Sequence, residues 1–367
     1  MDMSKGPWVL VTDGGHGGSR DAVAAVRALH AADYLVALTV ARGSLLALPS
    51  RYAQRRVTVP FVTEPGYATA VRAEASRGPY LTVLPASEAA LGALGVSVSH
   101  LTDKEGLSEA AGRAGIPAPP SRSFSDKEEL LAASSELDYP IVVKPRARQA
   151  PALFASRPEE VGSAPLGPGP VLVQPYLTEA LRAVAGVMWK GRLVAAVHER
   201  WLRIWPPRAG LASAAETAAP DLALEARLIE LMEGYDGIFC AQLAGPYLFD
   251  LNLRVHSSHP LGVAAGVNLV ALYCDLLREA EVPDETLRPR TGAFYRWLEG
   301  DVRHLAKSLT SKETTLGSAA ISLRPRRHAA HSTESLRDPG PMVSRLLYAA
   351  SRVHLSEATR KLGARSR

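Results

Sequence analysis

The first hundred residues alternate between short apolar runs and stretches whose apolar residues recur at helical spacing. Such alternation is typical of a parallel sheet covered by helices, in which ligands approach the carboxyl ends of the strands. The pattern predicts strands and helices in turn, with strands at 8–12, 34–40, 57–61 and 80–84 and helices at 20–32 and 67–76. Residues 1–100 are therefore predicted to form an α/β domain.

Beyond residue 100 the pattern changes to strands joined mostly by short turns. Asp103 is a predicted cap for a helix at 104–114, and a strand at 141–144 ends in Lys144. Residues 145–170 show no hydrophobic alternation and are predicted to form a long loop. The later elements are predicted strands at 171–177, 182–189, 193–204, 238–243 and 247–254, with helices at 222–234 and 267–281. Antiparallel hairpins of this kind predict an α+β domain over residues 101–285.

The last part of the chain, residues 286–367, has a weaker pattern. A strand at 291–298, a helix at 301–309 and helical spacing over 342–353 predict a small α/β segment that ends in a basic tail. No chemistry is inferred from this segment.

The segment 247–256 (YLFDLNLRVH) carries the most informative polar pattern of the chain. Asp250, Asn252 and Arg254 occupy every second position, so an extended chain projects all three side chains from one face. A carboxylate and an amide supply the oxygen ligands that Mg²⁺ prefers, and a guanidinium matches the shape of a phosphate group. The pattern predicts a metal and anion site on this strand; an edge strand with a solvated polar face is the alternative.

Composition limits the classes of function. The 367 residues are 47% hydrophobic and 22% charged, which is typical of a globular protein with two or three domains. The net charge of +5 is small and aromatic residues make up only 6%, so a nucleic-acid interface is not predicted. The two cysteines lie in apolar runs, and no apolar stretch reaches the ~18 residues of a membrane-spanning helix. A cytoplasmic protein without nucleic-acid or membrane partners is expected.

A glycine-rich turn follows the first predicted strand, with the sequence DGGHGGS at residues 13–19. Its glycines, Gly14, Gly15, Gly17 and Gly18, do not match the G-x-G-x-x-G spacing of dinucleotide-binding turns. A turn that lets the backbone approach a substrate is favoured, and a nicotinamide-dependent enzyme that uses this turn is a less favoured alternative.

Five signals in a fixed order make residues from about 101 to 281 resemble an ATP-grasp domain. They are Asp103-Lys104 at a helix start, the strand VVKP at 142–145, a hinge at 174–177, Gln242 on the penultimate strand, and Asp250-Leu251-Asn252. The preceding α/β domain resembles the Rossmann-like domain that usually precedes ATP-grasp, so the resemblance covers nearly the whole chain. The polar set is most similar to the biotin carboxylase and carbamoyl phosphate synthetase branch, because Gln242 stands where D-alanine:D-alanine ligase carries Asp.

The resemblance implies which residues bind the nucleotide. Lys104 and Lys144 would contact the phosphates of ATP, and Lys144 would also act in catalysis. An adenine hinge, acting mostly through backbone groups, and a ribose ligand would follow the strand before the hairpins; these residues are Gln174, Tyr176, Leu177 and Glu179.

The resemblance also implies the metal ligands and a catalytic cation. Asp250 and Asn252 would hold Mg²⁺, for which Mn²⁺ is an alternative, with Gln242 as a neutral oxygen donor. Arg254 would stabilise the acyl phosphate or the tetrahedral intermediate.

A carboxylate-amine ligase is the activity that this resemblance implies. Such an enzyme uses ATP, forms ADP and activates a carboxylate as an acyl phosphate, which an amine or a thiol then attacks. Positioning and charge neutralisation are the main needs of phosphoryl transfer, so no nucleophilic Ser or Cys is required. The implied partners are a small-molecule carboxylate and an amine, and a homodimer is compatible with the resemblance. Three further residues are candidates for facing the substrate, with exposed strand or loop positions as the alternative: His198, Glu199 and Arg208.

Two features depart from the family pattern. The family places a glycine-rich loop after the second lysine, whereas this chain has PRARQAPALFASRPEEVG; either Arg146 and Arg148 replace its backbone donors or the lid is lacking. Asp250 stands where Glu is commoner, which shortens the metal ligand by one methylene group. The alternative function is accordingly a degenerate ATP-grasp protein that binds nucleotide as a regulatory or scaffold module without efficient turnover.

Overall fold

The computed structural model of the protein divides the chain into two compact units. The described residues are 6–44, 46, 50–95, 101, 103–146, 152–164, 166–167 and 169–349. The first unit comprises the chain up to Leu94 together with the segment from Ser332 onward, and the second comprises Gly95–His331. The region expected as one separate segment, 286–367, is therefore shared between the two units.

The first unit is built on a parallel four-stranded sheet in the order β3-β2-β1-β4. Its elements are β1 (Trp8–Thr12), α1 (Arg20–His30), β2 (Leu35–Val40), β3 (Arg55–Thr58), α2 (Tyr67–Arg77), β4 (Tyr80–Pro85) and α3 (Glu88–Ala93). Residues 339–349 are also helical. The apolar runs of β1 and β2 are almost wholly buried, as parallel strands covered on both faces require. The predicted parallel sheet is confirmed.

The glycine-rich turn of the first unit is closed by its own acid. The Asp13 carboxylate accepts hydrogen bonds from the backbone N–H groups of Gly17 at 2.8 Å and Ser19 at 3.3 Å. Gly15 has a φ of +91°, and a Cβ at this position would lie 3.1 Å from the carbonyl oxygen of Pro60. Glycine is therefore required here by the backbone conformation and by the close approach of a neighbouring segment.

The second unit contains two sheets that are largely antiparallel. The smaller has the order β5-β8-β6-β7. Its strands are β5 (Arg122–Phe124), β6 (Ile141–Pro145), β7 (Leu153–Ala155) and β8 (Val171–Pro175), and the helices of this part are α4 (Lys104–Arg113), α5 (Lys127–Ala132) and α6 (Pro158–Val161). One face of the sheet buries an apolar core that includes Leu130, Ile141, Val143, Val171 and Val173. Because side chains alternate and Val142 pairs with Gln174, the side chains of Lys144 and Gln174 project from the opposite face.

The larger sheet has seven strands in the order β13-β12-β9-β10-β11-β14-β15, antiparallel except for the pair β14 and β15. Its strands are β9 (Leu181–Trp189), β10 (Arg192–Trp205), β11 (Leu211–Thr217), β12 (Gly237–Ala244), β13 (Tyr247–Asn252), β14 (Phe294–Arg296) and β15 (Ala330–His331). The helices are α7 (Leu222–Leu231), α8 (Pro260–Ala265), α9 (Leu269–Leu277), α10 (Leu298–Thr310) and α11 (Leu316–Leu323). The predicted combination of a parallel-sheet domain with antiparallel sheets is thus confirmed. In the described part of the chain, no helix combines the length and the apolar character that crossing a bilayer requires.

Candidate functional site

One row of paired residues runs across five strands of the larger sheet. Asp250 on β13 pairs with Gln242 on β12, which in turn pairs with Ala183 on β9. Ala183 also pairs with Glu199 on β10, and Glu199 pairs with Thr217 on β11. Directly opposed residues of antiparallel strands project from the same face. Asp250, Gln242 and Glu199 therefore line one face, with the small Ala183 between the last two.

Asp250, Asn252 and Arg254 are linked side chain to side chain. Asn252 Nδ2 donates to Asp250 Oδ2 at 3.2 Å, and Arg254 Nη2 donates to Asn252 Oδ1 at 3.3 Å. The strand β13 ends at Asn252, two residues earlier than predicted, so Arg254 lies in the following turn. There its Nη1 donates to the carbonyl oxygen of Val255 at 2.8 Å. The three polar residues that alternate in the sequence thus form one connected group of acid, amide and cation.

Two lysines reach β13 from neighbouring elements. Lys104, at the start of α4, places its Nζ 3.8 Å from Asp250 Oδ1, and each of these side chains is 11% exposed. Lys144, near the end of β6, places its Nζ 3.4 Å from the carbonyl oxygen of Phe249 and 5.1 Å from the centroid of the Phe249 ring. Since β13 is the edge strand of its sheet, its outer side is open to approach by both lysines. The structure therefore brings the two predicted phosphate-binding lysines to the predicted metal-binding strand.

The predicted hinge residues lie on β8 and directly after it. Gln174 is 5% exposed, and its Nε2 donates to the hydroxyl group of Ser121 at 2.9 Å. The Tyr176 ring meets Phe154 edge-on, with 4.9 Å between the ring centroids. The other two members are the half-buried Leu177 and the exposed Glu179.

The predicted metal ligands are one carboxylate and two amides. Among the described residues, no group of three or more His, Cys, Asp or Glu side chains could hold a metal ion. Gln242 lies opposite Asp250, and Asn252 follows two residues later on the same face. Carboxylate and amide oxygens suit a hard cation such as Mg²⁺, which commonly takes its remaining ligands from water and substrate phosphates. The chemistry of this donor set therefore fits the ion that the resemblance implies.

A second polar group lies on the same face of the sheet, around Glu199. This residue is 2% exposed; its Oε1 accepts from the Ser258 hydroxyl at 2.7 Å and its Oε2 accepts from the Trp201 indole at 3.1 Å. Burial raises the pKa of Glu199 to about 7, because two neutral donors replace only part of the lost hydration. His256 connects this pair to a predicted metal ligand, since its Nδ1 is 2.9 Å from Ser258 Oγ and its Nε2 is 3.4 Å from Gln242 Nε2.

His256 and Ser258 were not among the residues singled out from the sequence. Their signal is the run HSSH at 256–259, which follows the informative strand directly and is buried in the structure. The three residues considered for facing the substrate, His198, Glu199 and Arg208, lie in different places, and only Glu199 shares a face with Asp250. His198 projects from the opposite face of β10 to Glu199, where its Nε2 lies 2.7 Å from Glu225 on α7. Arg208 lies in the loop after β10 and is half-exposed.

Arg146, one of two arginines considered as replacements for a glycine-rich loop, is held by acids at the start of α4. Its Nε and Nη2 donate to the two carboxylate oxygens of Asp103 at 2.8 and 2.9 Å, and its Nη1 lies 2.7 Å from Glu105. This guanidinium lowers the pKa of Asp103. The other arginine, Arg148, lies outside the described residues.

Comparison with known proteins connects this geometry to a fold. No protein-family model and no curated protein matches the sequence of the chain. Its structure is similar to the L-amino acid ligase of Bacillus licheniformis, with a TM-score of 0.57 and 13% identity over 78% of each chain. It is similar to the biotin carboxylase of Campylobacter jejuni in complex with β,γ-ATP, with a TM-score of 0.56 and 15% identity over 78% of this chain and 74% of that one. It is also similar to carboxyaminoimidazole ribonucleotide synthase from Aspergillus clavatus complexed with ATP, with a TM-score of 0.58 and 17% identity over 78% and 80%.

These proteins are ATP-grasp ligases, and the chain has their fold. The prediction of an ATP-grasp domain preceded by a Rossmann-like domain is therefore confirmed at the level of architecture. Since the identities are only 13% to 17%, the similarity establishes the fold alone.

Proposed function

We propose that this protein is an ATP-dependent, ADP-forming ligase that joins a small-molecule carboxylate to an amine or a thiol through an acyl phosphate. The observation that carries this proposal is the approach of two lysines, from separate elements, to a strand that bears an acid and an amide. Lys104 Nζ lies 3.8 Å from Asp250 Oδ1, and Lys144 Nζ lies 3.4 Å from the carbonyl oxygen of Phe249. Phosphoryl transfer depends mainly on positioning and charge neutralisation, for which this set is suited.

Each of the nucleotide-binding residues has a proposed role. Lys104 and Lys144 would bind the phosphates of ATP, and the hinge after β8 would hold the adenine through backbone groups of Gln174, Tyr176 and Leu177, with Glu179 at the ribose. Three oxygen donors would hold Mg²⁺, or Mn²⁺ in its place, and the bound ion would neutralise phosphate charge; these donors belong to Gln242, Asp250 and Asn252.

The proposed ligation has two steps, phosphoryl transfer to the carboxylate and attack of the amine on the acyl phosphate. A carboxylate oxygen of the first substrate attacks the γ-phosphorus of ATP; a new O–P bond forms, the bond to the β-phosphate oxygen breaks, and ADP leaves with the electron pair. The amine then attacks the carbonyl carbon; the C–N bond forms, the C–O bond to phosphate breaks, and the amine loses a proton. Lys144 would stabilise the transferring phosphoryl group in the first step, and Arg254 the oxyanion of the second.

ADP release tests this proposal. Purified protein with ATP and Mg²⁺ is incubated with pools of carboxylates and amines, and ADP is measured for wild type, Asn252→Ala and the control Lys307→Ala, whose side chain is exposed. Wild type and the control are expected to release ADP about tenfold or more faster than Asn252→Ala with at least one pool. If wild type exceeds Asn252→Ala with none of the pools, the ligase proposal is wrong.

A nucleotide-binding module without efficient turnover is the second candidate. The pairing of Arg146 favours this candidate. Its guanidinium is bound by the carboxylates of Asp103 and Glu105, rather than held ready to replace the donors of a glycine-rich loop. This candidate predicts that ATP with Mg²⁺ stabilises the protein, by ~2.7 kcal/mol at 100 times the dissociation constant, while no substrate pool increases ADP release. Absence of any stabilisation by ATP would contradict both candidates.

A further inference from the structure

A partly open cavity of about 340 Å³ lies in the second unit, where β9 begins beside the end of β11 and the turn between β12 and β13. Most of its lining residues are small or apolar, among them Ala180, Leu181, Ala218, Ala219 and Pro246. Small-molecule sites are commonly of this size, with apolar walls and a few polar groups that fix the ligand. The charged side chains of the lining therefore decide which kind of ligand the cavity suits.

Two arginines of this lining stand directly opposite each other on neighbouring strands. Arg182 on β9 pairs with Arg200 on β10, so both side chains project from one face of the sheet. Opposed residues of antiparallel strands have Cβ atoms about 4.5–5.5 Å apart, and like charges in such pairs are destabilising. Two arginines side by side at a cavity wall therefore favour negatively charged groups between them.

Each arginine has one carboxylate partner, which uses only part of its donors. Arg182 donates from Nε to the carbonyl oxygen of Gly245 and from Nη1 to Asp221 Oδ2, each at 2.9 Å. Arg200 donates from Nε and Nη2 to a single oxygen of Glu216, Oε1. A guanidinium has five N–H donors, so the hydrogen bonds within the described part of the chain leave three on each arginine. The Arg200 side chain is 61% exposed, which places its donors within reach of a ligand.

Asp221, an acid that also lines the cavity, is bound to its own neighbours. Its Oδ2 accepts from Arg182, and its Oδ1 accepts from the backbone N–H of Leu224 at 3.1 Å, which caps α7. The hydrogen bond from Arg182 is the main cause that lowers the pKa of Asp221. The negative charge of Asp221 is therefore already paired, and both of its oxygens are in use.

The two arginines project from the face of the sheet opposite to that of the proposed metal ligands. The cavity also touches Ala183 and Glu199, but these residues belong to the row that continues to Asp250 on the other face. Because side chains alternate along a strand, Arg182 and Arg200 are directed away from that row.

We propose that this cavity is a second anion site, which binds the phosphate group of a small phosphorylated molecule between Arg182 and Arg200. A phosphate monoester presents three oxygens, which accept from two guanidinium forks at once, whereas a carboxylate presents two oxygens and suits a single fork. The apolar walls then hold the remainder of the molecule. The site is independent of the proposed function, because none of the residues assigned to ATP or Mg²⁺ lines this cavity.

Titration calorimetry with inorganic phosphate tests the site in the full-length protein. Lys144→Met serves as the background, because it removes a proposed contact to the phosphates of ATP. One phosphate is expected to bind in this background, and the added substitution Arg200→Ala should weaken its binding about tenfold or more. Arg192→Ala, which removes an exposed arginine of the same strand, is the matched control and should leave the binding unchanged. If Arg200→Ala binds phosphate as the background does, or if the background binds none, the proposal is wrong.

Arg200→Lys separates the shape of the guanidinium from its charge. Lysine keeps a positive charge beside Glu216 but lacks the planar fork, so phosphate binding should weaken about threefold or more. This variant also keeps the test available if Arg200→Ala does not fold. Unchanged phosphate binding in Arg200→Lys would contradict recognition by two guanidinium forks.

Propyl phosphate tests the contribution of the apolar walls. It is expected to bind about threefold to tenfold more tightly than inorganic phosphate, because its propyl group leaves water for an apolar surface. Butyrate, which carries a carboxylate on a body of similar size, should bind more weakly than propyl phosphate. Equal binding of butyrate would contradict the assignment of a phosphate group, and equal binding of inorganic phosphate would contradict the role of the walls.

Titration with ATP and Mg²⁺ separates this site from the proposed nucleotide site. Arg200→Ala, introduced into the wild-type chain, is expected to bind ATP as wild type does. If this variant loses ATP affinity by as much as it loses phosphate affinity, the cavity belongs to the nucleotide site and the proposal of a second site is wrong. If wild type binds no ATP, the proposed function fails, and the phosphate titrations still decide whether the second site exists.

Discussion

Arg27 and Asp338 form an ion pair within the first unit although 311 positions separate them in the sequence. Arg27 Nε donates to Asp338 Oδ2 at 2.8 Å, and its terminal nitrogens donate to the carbonyl oxygens of Ser332 and Thr333, each at 2.9 Å. Asp338 is 0% exposed and also accepts from the Ser50 hydroxyl at 2.7 Å. Arg27 on α1 thus binds the segment from Ser332 to Asp338 through hydrogen bonds to its backbone and to the Asp338 carboxylate.

Asp338→Asn is expected to destabilise the first unit. The substitution leaves the guanidinium of Arg27 without its charged partner, and breaking a buried ion pair by removing one member costs about 3–5 kcal/mol. Hydrogen exchange at the amides of β1, residues 8–12, measures this loss in the unit concerned. Glu64→Gln is the control in the same unit, because Glu64 is exposed, where it accepts from the backbone N–H of Phe61, and should contribute less than ~1 kcal/mol. Equal effects of the two substitutions would show that Asp338 is not essential to the unit.

Lys104→Met is expected to weaken ATP binding about tenfold to a hundredfold. The Lys104 side chain is 11% exposed beside Asp250, and a hydrogen bond to a charged group is worth about 1.5–3 kcal/mol. Calorimetric titration with ATP and Mg²⁺ measures the change, with the exposed Lys307→Met as control. If Lys104 served only to balance Asp250, the variant would lose stability but bind ATP as wild type does.

Gly186→Ala is expected to destabilise the larger sheet. A Cβ on Gly186 would lie 2.7 Å from the ring of Phe239 and 2.8 Å from the carbonyl oxygen of Ala195, so overpacking should cost about 1–3 kcal/mol. Gly112→Ala is the contrasting variant, since nothing lies within 4 Å of its added Cβ on α4, and alanine should stabilise a helix by about 0.5–1 kcal/mol. Urea unfolding should therefore shift in opposite directions; a shift in the same direction would contradict the packing argument.

Local patterns predicted the parts of the candidate site that depend on single elements. The two-residue alternation along β13 places Asp250 and Asn252 on one face, and the apolar run of β6 explains why Lys144 projects away from the core. These expectations could be made because side-chain direction within a strand follows from sequence spacing alone.

The remaining parts depend on how distant elements pair. Glu199 and Ser258 are 59 positions apart, and their contact requires β10 and β13 to be joined through β9 and β12 in one sheet. No local pattern specifies that strand order. The same reason explains why the segment from Ser332 onward could not be assigned to the first unit, since its contact with Arg27 is a tertiary one. The predicted end of β13 at residue 254 was also wrong, because the strand ends at Asn252 and Arg254 lies in the turn that follows it.

His259 is expected to make the stability of the second unit fall in mild acid. Burial lowers the pKa of this residue, which is 3% exposed, to about 4, whereas the unfolded chain titrates near pH ~6.5. Between these values the unfolded chain binds more protons, so stability rises with pH across this window and is lost as pH falls through it. From pH 7 to pH 5 wild type should therefore lose about 2 kcal/mol more than His259→Gln, measured by urea unfolding.

Glu199 acts in the opposite sense and provides the contrast for this measurement. Its folded pKa of about 7 lies above the value of 4.5 for an ordinary glutamate, so its contribution is present below pH 4.5 and is lost as the pH rises through 7. Between about pH 4.5 and pH 7, Glu199→Gln should therefore remove a fall of stability with rising pH, whereas His259→Gln should remove a rise of stability with pH between about pH 4 and pH 6.5. If both variants changed the pH dependence of stability with the same sign, one of these two predictions would be wrong.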